Sequence, residues 1–201
     1  MNQLEIANLL KTEPLPWKSS VLRGENNKVR WLPIIDVSGK NFYLGLSEKG
    51  FWVVESRDKL LRLDKNGIPL LPILEQDFEE FLSHFKASLK KVGLPLSVVS
   101  IFPWLETVIC GLEQGSDYWA ALAIKWLQSR KELQTVELEP ILKEVSEAKW
   151  ASQKVRQKSK RLLMLVISKP FKKKPFFAKP IFENQWDQTR WIYSSSQTPP
   201  L

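Results

Sequence analysis

The sequence has very little of the chemistry that metal centres and covalent catalysis require. Its 201 residues include one cysteine, Cys110, and one histidine, His84, which lie far apart in the chain. A zinc site of ordinary ligand number needs several such side chains, and an internal disulfide needs a second cysteine. We therefore predict no metal site, no cofactor and no internal disulfide.

Other catalytic patterns are also missing from the sequence. The eight glycines are scattered as turn residues and form no phosphate-binding loop. The carboxylates of Asp77, Glu79 and Glu80 stand at the start of a predicted helix, where capping explains them better than acid–base chemistry. Cys110 lies in an apolar helical stretch, and His84 is predicted to be half-buried or at the surface of a helix. We predict a protein that is not an enzyme and has no small-molecule substrate.

Signals for export and for membrane insertion are lacking as well. The first residues contain no basic region followed by an apolar one. No apolar run is expected to approach the length that crosses a bilayer. A single cysteine, expected to be a buried hydrophobic residue, suits a reducing compartment. These features predict a cytoplasmic location.

Acidic residues are missing between Lys149 and Phe182, and this absence says most about function. This 34-residue segment has eleven Lys and Arg residues and no Asp or Glu. The chain has a net charge of +8, so the segment supplies +11 and the remainder carries −3. A mildly acidic body with one basic segment is typical of a protein that meets an anionic partner.

The rest of the sequence has enough apolar residues for a folded core, with 43% hydrophobic residues and nine tryptophans. Asn2 and Glu5 predict a capped first helix that ends before Pro14. Short alternating runs separated by turn residues predict an antiparallel meander, with strands at 29–35, 42–46, 51–55 and 59–63. Asn66-Gly67 predicts a turn with positive φ angles, and two prolines predict an edge strand or extended connection over 68–73.

Helical patterns follow the meander. Asp77 is predicted to cap a helix that buries Phe78, Phe81 and Phe85. Pro103 starts a second helix that reaches about Leu112, Gly115 ends it, and Ser116 caps a third. Two more helices are predicted at roughly 136–145 and 147–167. In the last of them Ala151, Val155, Leu162 and Val166 are predicted to pack inward, and Lys154, Lys158 and Arg161 to face solvent.

Two stretches resemble known families. Trp31-Leu32-Pro33-Ile34, the following hairpin with Phe42-Tyr43-Leu44, and Asp77-Phe78-Glu79-Glu80-Phe81-Leu82 resemble the second half of a domain of the SUKH superfamily, over about residues 29–90. That superfamily includes toxin-immunity proteins and cell-wall-assembly regulators. The segments 119–127 and 155–163 resemble inner helices of HEAT repeats. Both resemblances imply binding scaffolds, and neither implies a catalytic residue.

The predicted fold class is therefore α+β: a small antiparallel β-meander closed by a helix, a helical HEAT-like C-terminal half, and an extended basic tail. We predict three regions: 1–92 with the first helix and the meander, 93–168 with the helices packed on it, and 169–201 as a basic, aromatic tail.

We place the function in the basic segment, as an adaptor, assembly or immunity-type protein in a complex. An acidic protein surface is the preferred partner, because both resemblances imply protein binding. Sequence-independent nucleic-acid binding and an anionic membrane surface are the alternatives, since both also attract lysine and arginine. The residues predicted to bind the partner combine positive charge with aromatic side chains: Arg161, Lys172, Lys173, Lys174, Phe176, Phe177, Lys179, Trp186 and Trp191.

Overall fold

The structure is a computed structural model that describes residues 3–11, 15–24, 27–37, 42–56, 59–63 and 67–168. Its strands are β1 (Lys18–Val21), β2 (Lys28–Asp36), β3 (Phe42–Ser47), β4 (Trp52–Ser56) and β5 (Lys59–Arg62). Its helices are α1 (Gln3–Leu9), α2 (Leu71–Leu74), α3 (Phe78–Lys91), α4 (Trp104–Glu113), α5 (Asp117–Ser129), α6 (Glu139–Glu147) and α7 (Gln153–Ser168). The predicted α+β class, with an N-terminal meander and a helical C-terminal half, is confirmed.

The five strands form one antiparallel sheet in the order β1-β2-β3-β4-β5. The sheet curls, because Leu22 after β1 bridges to Leu60 in β5 and the Arg23 backbone N–H donates to the Leu60 carbonyl oxygen at 2.8 Å. The curl encloses a small apolar cluster of Leu22, Trp31, Phe51, Val53 and Leu60. The opposite face of the sheet packs against the helices.

The four predicted strands are found within a few residues of their expected bounds, but β1 was not predicted. Its sequence, Lys-Ser-Ser-Val, has no apolar alternation and most of its side chains are exposed. The polar Ser20 is nevertheless structural. Its hydroxyl accepts from the Trp31 indole N–H at 3.1 Å and donates to a Glu55 carboxylate oxygen at 2.7 Å.

The expected edge strand or extended connection over 68–73 is wrong. The chain forms a 3₁₀ turn, Ile68–Leu70, followed directly by α2. Pro69 and Pro72 each lie in the first turn of these elements, where the absent N–H leaves no helical hydrogen bond unmade. Gly67 has a φ of −80°, so it does not use the positive φ that glycine tolerates. Because Gly67 has no side chain, Cys110 can pack close to its backbone. A Cβ atom added at Gly67 would lie 3.3 Å from the Cys110 Cβ.

The helix starts follow the predicted caps with one correction. Asp77 caps α3, and its carboxylate accepts from the Glu79 N–H at 3.0 Å. Gly115 has a φ of +63° after α4, and Ser116 occupies the N-cap position of α5 without a side-chain bond. The last predicted helix, 147–167, begins six residues later than expected. Ser152 precedes α7, and its hydroxyl accepts from the Val155 N–H at 3.3 Å.

One apolar core extends from Ile6 to Val166 and includes side chains from the sheet and from the helices. Its centre is a network of aromatic rings from β4, α3, α4, α5 and the segment before α4: Trp52, Phe78, Phe81, Phe85, Phe102, Trp104 and Trp126. The buried indoles are hydrogen-bonded, since Trp52 donates to the Ile101 carbonyl and Trp126 to the Gln76 carbonyl, each at 3.1 Å. The sheet and the helices thus share one apolar interior.

The expectation that no stretch reaches membrane-spanning length needs correction. Leu96–Glu113 is long and apolar enough by length and composition, and 56% of it is buried inside the protein. It supplies Val98, Phe102 and Val108 to the apolar core. Burial in the core therefore explains its apolar composition.

Candidate functional site

The helical half is built from two stacked pairs of helices. α4 packs with α5 and α6 packs with α7, while α4 also contacts α6 and α5 contacts α7. The result is two layers, α4 with α6 and α5 with α7, which is consistent with a HEAT-like helical region. Among the described residues, α7 is the last helix of these layers.

The inward face of α7 is set by the spacing of small and apolar side chains. Val155, Ser159, Leu162 and Val166 recur every three or four residues and are all buried. Ala151, just before the helix, is buried as well. The predicted inward packing of the basic segment is confirmed, and it leaves the opposite face of α7 to solvent.

The N-terminal half of that outer face is basic. Lys154, Lys160 and Arg161 are exposed, and Lys158 is partly buried. Within the described residues, none of these four cations forms an ion pair. Cations elsewhere do form them, since Arg130 contacts Glu79 and Glu132, and Lys125 contacts Asp77. The outer face of α7 therefore holds positive charge that no described carboxylate neutralises.

Arg156 belongs to the fold rather than to this surface. Its guanidinium donates to the carbonyl oxygens of Ala148 and Ala151, in the connection between α6 and α7. This side chain is half-buried and fixes the chain reversal before α7. The solvent-facing charge of α7 consequently comes from the other four cations.

The C-terminal half of the outer face is apolar. Met164, Leu165 and Ile167 are 57%, 50% and 55% exposed. Each is a large aliphatic side chain, and the three lie within the last turn and a half of α7. The outer face of α7 is thus divided along the helix axis, with cations first and aliphatic side chains after them.

The exposure of these three residues was not predicted, although the sequence contains the signal. Leu162 to Ile167 are six consecutive apolar residues. Six consecutive helix positions point in all directions around the axis, so a helix packed on one side cannot bury all of them. Only Leu162 and Val166 in this run are buried.

The second layer of the helical half has the opposite charge. α4 has two glutamates, and α6 has Glu139, Glu144 and Glu147 against Lys143, which gives the layer a net charge of −4. α7 has five cations and no acid. Partial desolvation and then the nearby Glu144 carboxylate raise the pKa of Glu113, which is exposed at the end of α4, and burial raises the pKa of the half-buried Glu106. The layer of α4 and α6 is therefore negatively charged, and α7 in the other layer is positively charged.

We expect Glu113→Gln to be slightly more stable than the wild type at neutral pH and equal to it near pH 4, because solvent screens the repulsion at this exposed side chain. Because folding raises the pKa of Glu113, its protonated carboxyl favours the folded state. This contribution to stability is fully present below the ordinary glutamate pKa. It is lost as the pH rises through the raised value. Thermal unfolding of both proteins across this pH range measures the difference. Glu137→Gln, at an exposed position of the 3₁₀ helix Val136–Leu138, is the control, and lower stability of Glu113→Gln at both pH values would contradict the expectation.

Of the predicted partner-binding residues, the structure describes only Arg161, which lies on the exposed face of α7. Lys172, Lys173, Lys174, Phe176, Phe177, Lys179, Trp186 and Trp191, and with them the predicted tail 169–201, lie outside the described residues. The bounds 1–92 and 93–168 also stay predictions. The structure therefore describes the basic segment only as far as Ser168, the last residue of α7.

The single cysteine and the single histidine have different environments. Cys110 is buried, and burial followed by the Glu113 charge raises the pKa of its thiol to about 12. The thiol is therefore protonated at neutral pH, a poor state for a nucleophile. His84 is exposed on α3. Among the described residues there is no cluster of three or more His, Cys, Asp and Glu side chains suited to a metal.

A second surface feature is a cleft of about 800 Å³ beside α1. Its walls combine Leu10, Leu15 and Trp17 with the cations Lys11 and Lys49. The guanidinium of Arg30 lies 5.2 Å from the centre of the Trp17 ring and 3.9 Å from a Glu48 oxygen. Because Arg30 already contacts the Trp17 ring and the Glu48 carboxylate, its charge is less available to a partner than the unpaired cations of α7.

Comparison with protein-family models, with characterised proteins and with solved structures finds no match for this chain. The resemblances to the SUKH superfamily and to HEAT repeats accordingly stay predictions.

Proposed function

We propose that this protein is a non-catalytic interaction protein of the adaptor, assembly or immunity type, which binds an acidic protein partner through α7 and the basic, aromatic segment after it. The observation that supports this proposal is the set of four cations on α7, Lys154, Lys158, Lys160 and Arg161, without ion pairs among the described residues. Unpaired, solvated cations attract an anionic surface over a Debye length, about 8 Å at physiological salt.

The sequence extends this charge beyond α7. Five lysines and four phenylalanines follow between Lys169 and Phe182, again without an acidic residue. Aromatic side chains among cations supply contact area that charge alone lacks. The proposed binding element is therefore continuous along the chain, from Lys154 through the predicted tail.

A protein partner is preferred over nucleic acid because of the composition of α7. Lysine and arginine bind phosphates, but sequence-independent binding of single strands also uses aromatic side chains on which bases stack. Within α7 itself there is no aromatic residue, and the exposed apolar side chains beside its cations are Met164, Leu165 and Ile167. Such side chains suit a protein surface that has apolar groups beside its carboxylates.

The experiment is native affinity purification with the full chain and with a variant that has Lys154→Glu, Lys158→Glu, Lys160→Glu and Arg161→Glu. We expect the wild type to retain a stoichiometric acidic protein that salt releases. The α7 variant and a chain ending at Ser168 should lose it. Lys86→Glu with Lys90→Glu changes the same charge type at exposed positions of α3 and should retain it.

Two results would overturn the proposal. Equal retention by the wild type and the α7 variant would show that these cations do not bind the partner. Tight binding of a generic oligonucleotide at low salt, with a steep loss as salt rises and no protein retained after nuclease treatment, would replace the acidic protein with nucleic acid.

A further inference from the structure

The outer face of α7 presents two rows of side chains along which a neighbouring helix could pack. Its exposed positions, together with the partly buried Lys158, fall into two adjacent rows, each with alternating steps of four and three residues. The first row is Gln153, Gln157, Lys160, Met164 and Ile167, and the second is Lys154, Lys158, Arg161, Leu165 and Ser168. Residues at these steps form a straight seam along a helix, the pattern by which one helix packs on another.

The position of α7 in the stack also favours a further helix. α5 and α7 form one layer, and α7 is its last described member. A helix whose outer face meets water in such a stack is soluble when that face is polar. Met164, Leu165 and Ile167 are each at least half exposed on this face, so the seam keeps aliphatic surface that a next helix would bury.

We propose that α7 receives an amphipathic helix of a protein partner, with carboxylates facing Lys154, Lys158, Lys160 and Arg161, and an apolar end facing Met164, Leu165 and Ile167. This inference rests on the proposed function and specifies the partner's structural element. The helix lies along the seam of α7 and continues the layer that α5 and α7 begin. The aliphatic end fixes its register, because only one placement along α7 buries the apolar residues and pairs the carboxylates.

The order of residues along α7 argues for a helix rather than a bilayer. A helix that lies in a membrane surface has an apolar face along its whole length, with cations on its flanks. The long apolar face of α7, including Val155, Leu162 and Val166, is buried in the core. The exposed aliphatic side chains are confined to one end, where Met164 and Ile167 continue the row of Lys160 and Leu165 continues the row of Lys154, Lys158 and Arg161. A partner helix with an acidic part and an apolar part matches this order.

The probes are two synthetic peptides as long as α7 and equal in charge. In the first peptide, residues spaced three and four apart along one helix face are glutamates in one half and leucines in the other half. The second peptide has serines in place of the leucines. We expect the full-length protein to bind the first at least about tenfold more tightly than the second. Fluorescence anisotropy at fixed salt measures both affinities, and circular dichroism checks the helicity of each peptide.

Two sets of variants separate this inference from the proposed function. Met164→Ser with Leu165→Ser and Ile167→Ser should weaken binding of the first peptide at least about tenfold and leave the second peptide unchanged. Lys160→Glu with Arg161→Glu should weaken both peptides by about tenfold or more. Leu4→Ser, at a position that is 70% exposed on α1, is the matched apolar control and should change neither.

The outcomes are distinguishable. If the serine variants bind the first peptide as the wild type does while the glutamate variants do not, the apolar seam is wrong and the proposed function stands. If the glutamate variants bind both peptides normally, both proposals are wrong. Binding to anionic but not neutral vesicles, with neither peptide bound, would replace both with a membrane role. Concentration-dependent self-association of the wild type, abolished by the serine variants, would assign the seam to a second copy and overturn the partner helix.

Discussion

We expect Gly45→Ala to destabilise the protein by about 3 kcal/mol or more, because the curled sheet has no space for a side chain at this position. A Cβ atom at Gly45 would lie 2.2 Å from the backbone oxygen of Leu32 and 2.8 Å from the ring of Trp31. Trp31 is fully buried, and its indole is hydrogen-bonded to Ser20. Neither the carbonyl oxygen of the paired strand nor this ring can move without breaking the contact between β2 and β3.

Denaturant unfolding followed by tryptophan fluorescence and by circular dichroism measures this loss. Gly93→Ala is the matched control. Gly93 has a φ of +79° and no atom within 4 Å of the added Cβ, so it tests backbone strain alone, at about 1–2 kcal/mol. Equal losses for the two variants would mean that the close packing of Gly45 on Trp31 does not restrain the sheet.

The role of Gly45 illustrates what periodicity can and cannot predict. The alternating pattern of 42–46 predicted β3, because alternation follows directly from the geometry of a strand. The need for glycine at position 45 depends on Trp31, which reaches it through strand pairing and the curl of the sheet. Such a contact between residues distant in sequence leaves no local pattern.

The wrong prediction over 68–73 has a related cause. Two prolines exclude a central strand, but they are compatible both with an extended edge and with the first turns of two short helices. Burial decided between these structures. Leu70, Leu71, Ile73 and Leu74 all enter the core, and consecutive helical turns bury them where an extended strand would expose alternate residues.

The candidate site was predicted in part. The charge of α7 could be predicted because an acid-free segment is visible in the sequence itself, and the inward residues follow from helical spacing. Whether the aliphatic side chains at the end of α7 are exposed depends on how many sides of the helix are covered by other elements. Only the packing of α5 and α6 on one side shows that Met164 and Ile167 face solvent.

The other large effect is expected at the aromatic centre of the core, where Phe81→Ala should cost about 3–5 kcal/mol. Phe81 is fully buried, and its ring centre lies 5.8 Å from Phe85 of its own helix, 5.9 Å from Trp104 of α4 and 6.3 Å from Trp126 of α5. Phe85 in turn packs on Trp52 of β4 at 5.8 Å. The cavity left by the phenyl ring would therefore loosen the sheet and the helices together.

Hydrogen exchange measured by mass spectrometry tests whether the two parts are coupled, since it reports separately on peptides from β3 and from α5. We expect Phe81→Ala to lower protection in both by a similar free energy, with one unfolding transition in denaturant, because one apolar core joins them. Tyr118→Ala is the control. Tyr118 is 55% exposed and donates a hydrogen bond to Glu75, so its loss should cost about 1 kcal/mol. Loss of protection in α3 to α5 with unchanged protection in β3 would instead show that the predicted regions 1–92 and 93–168 unfold independently.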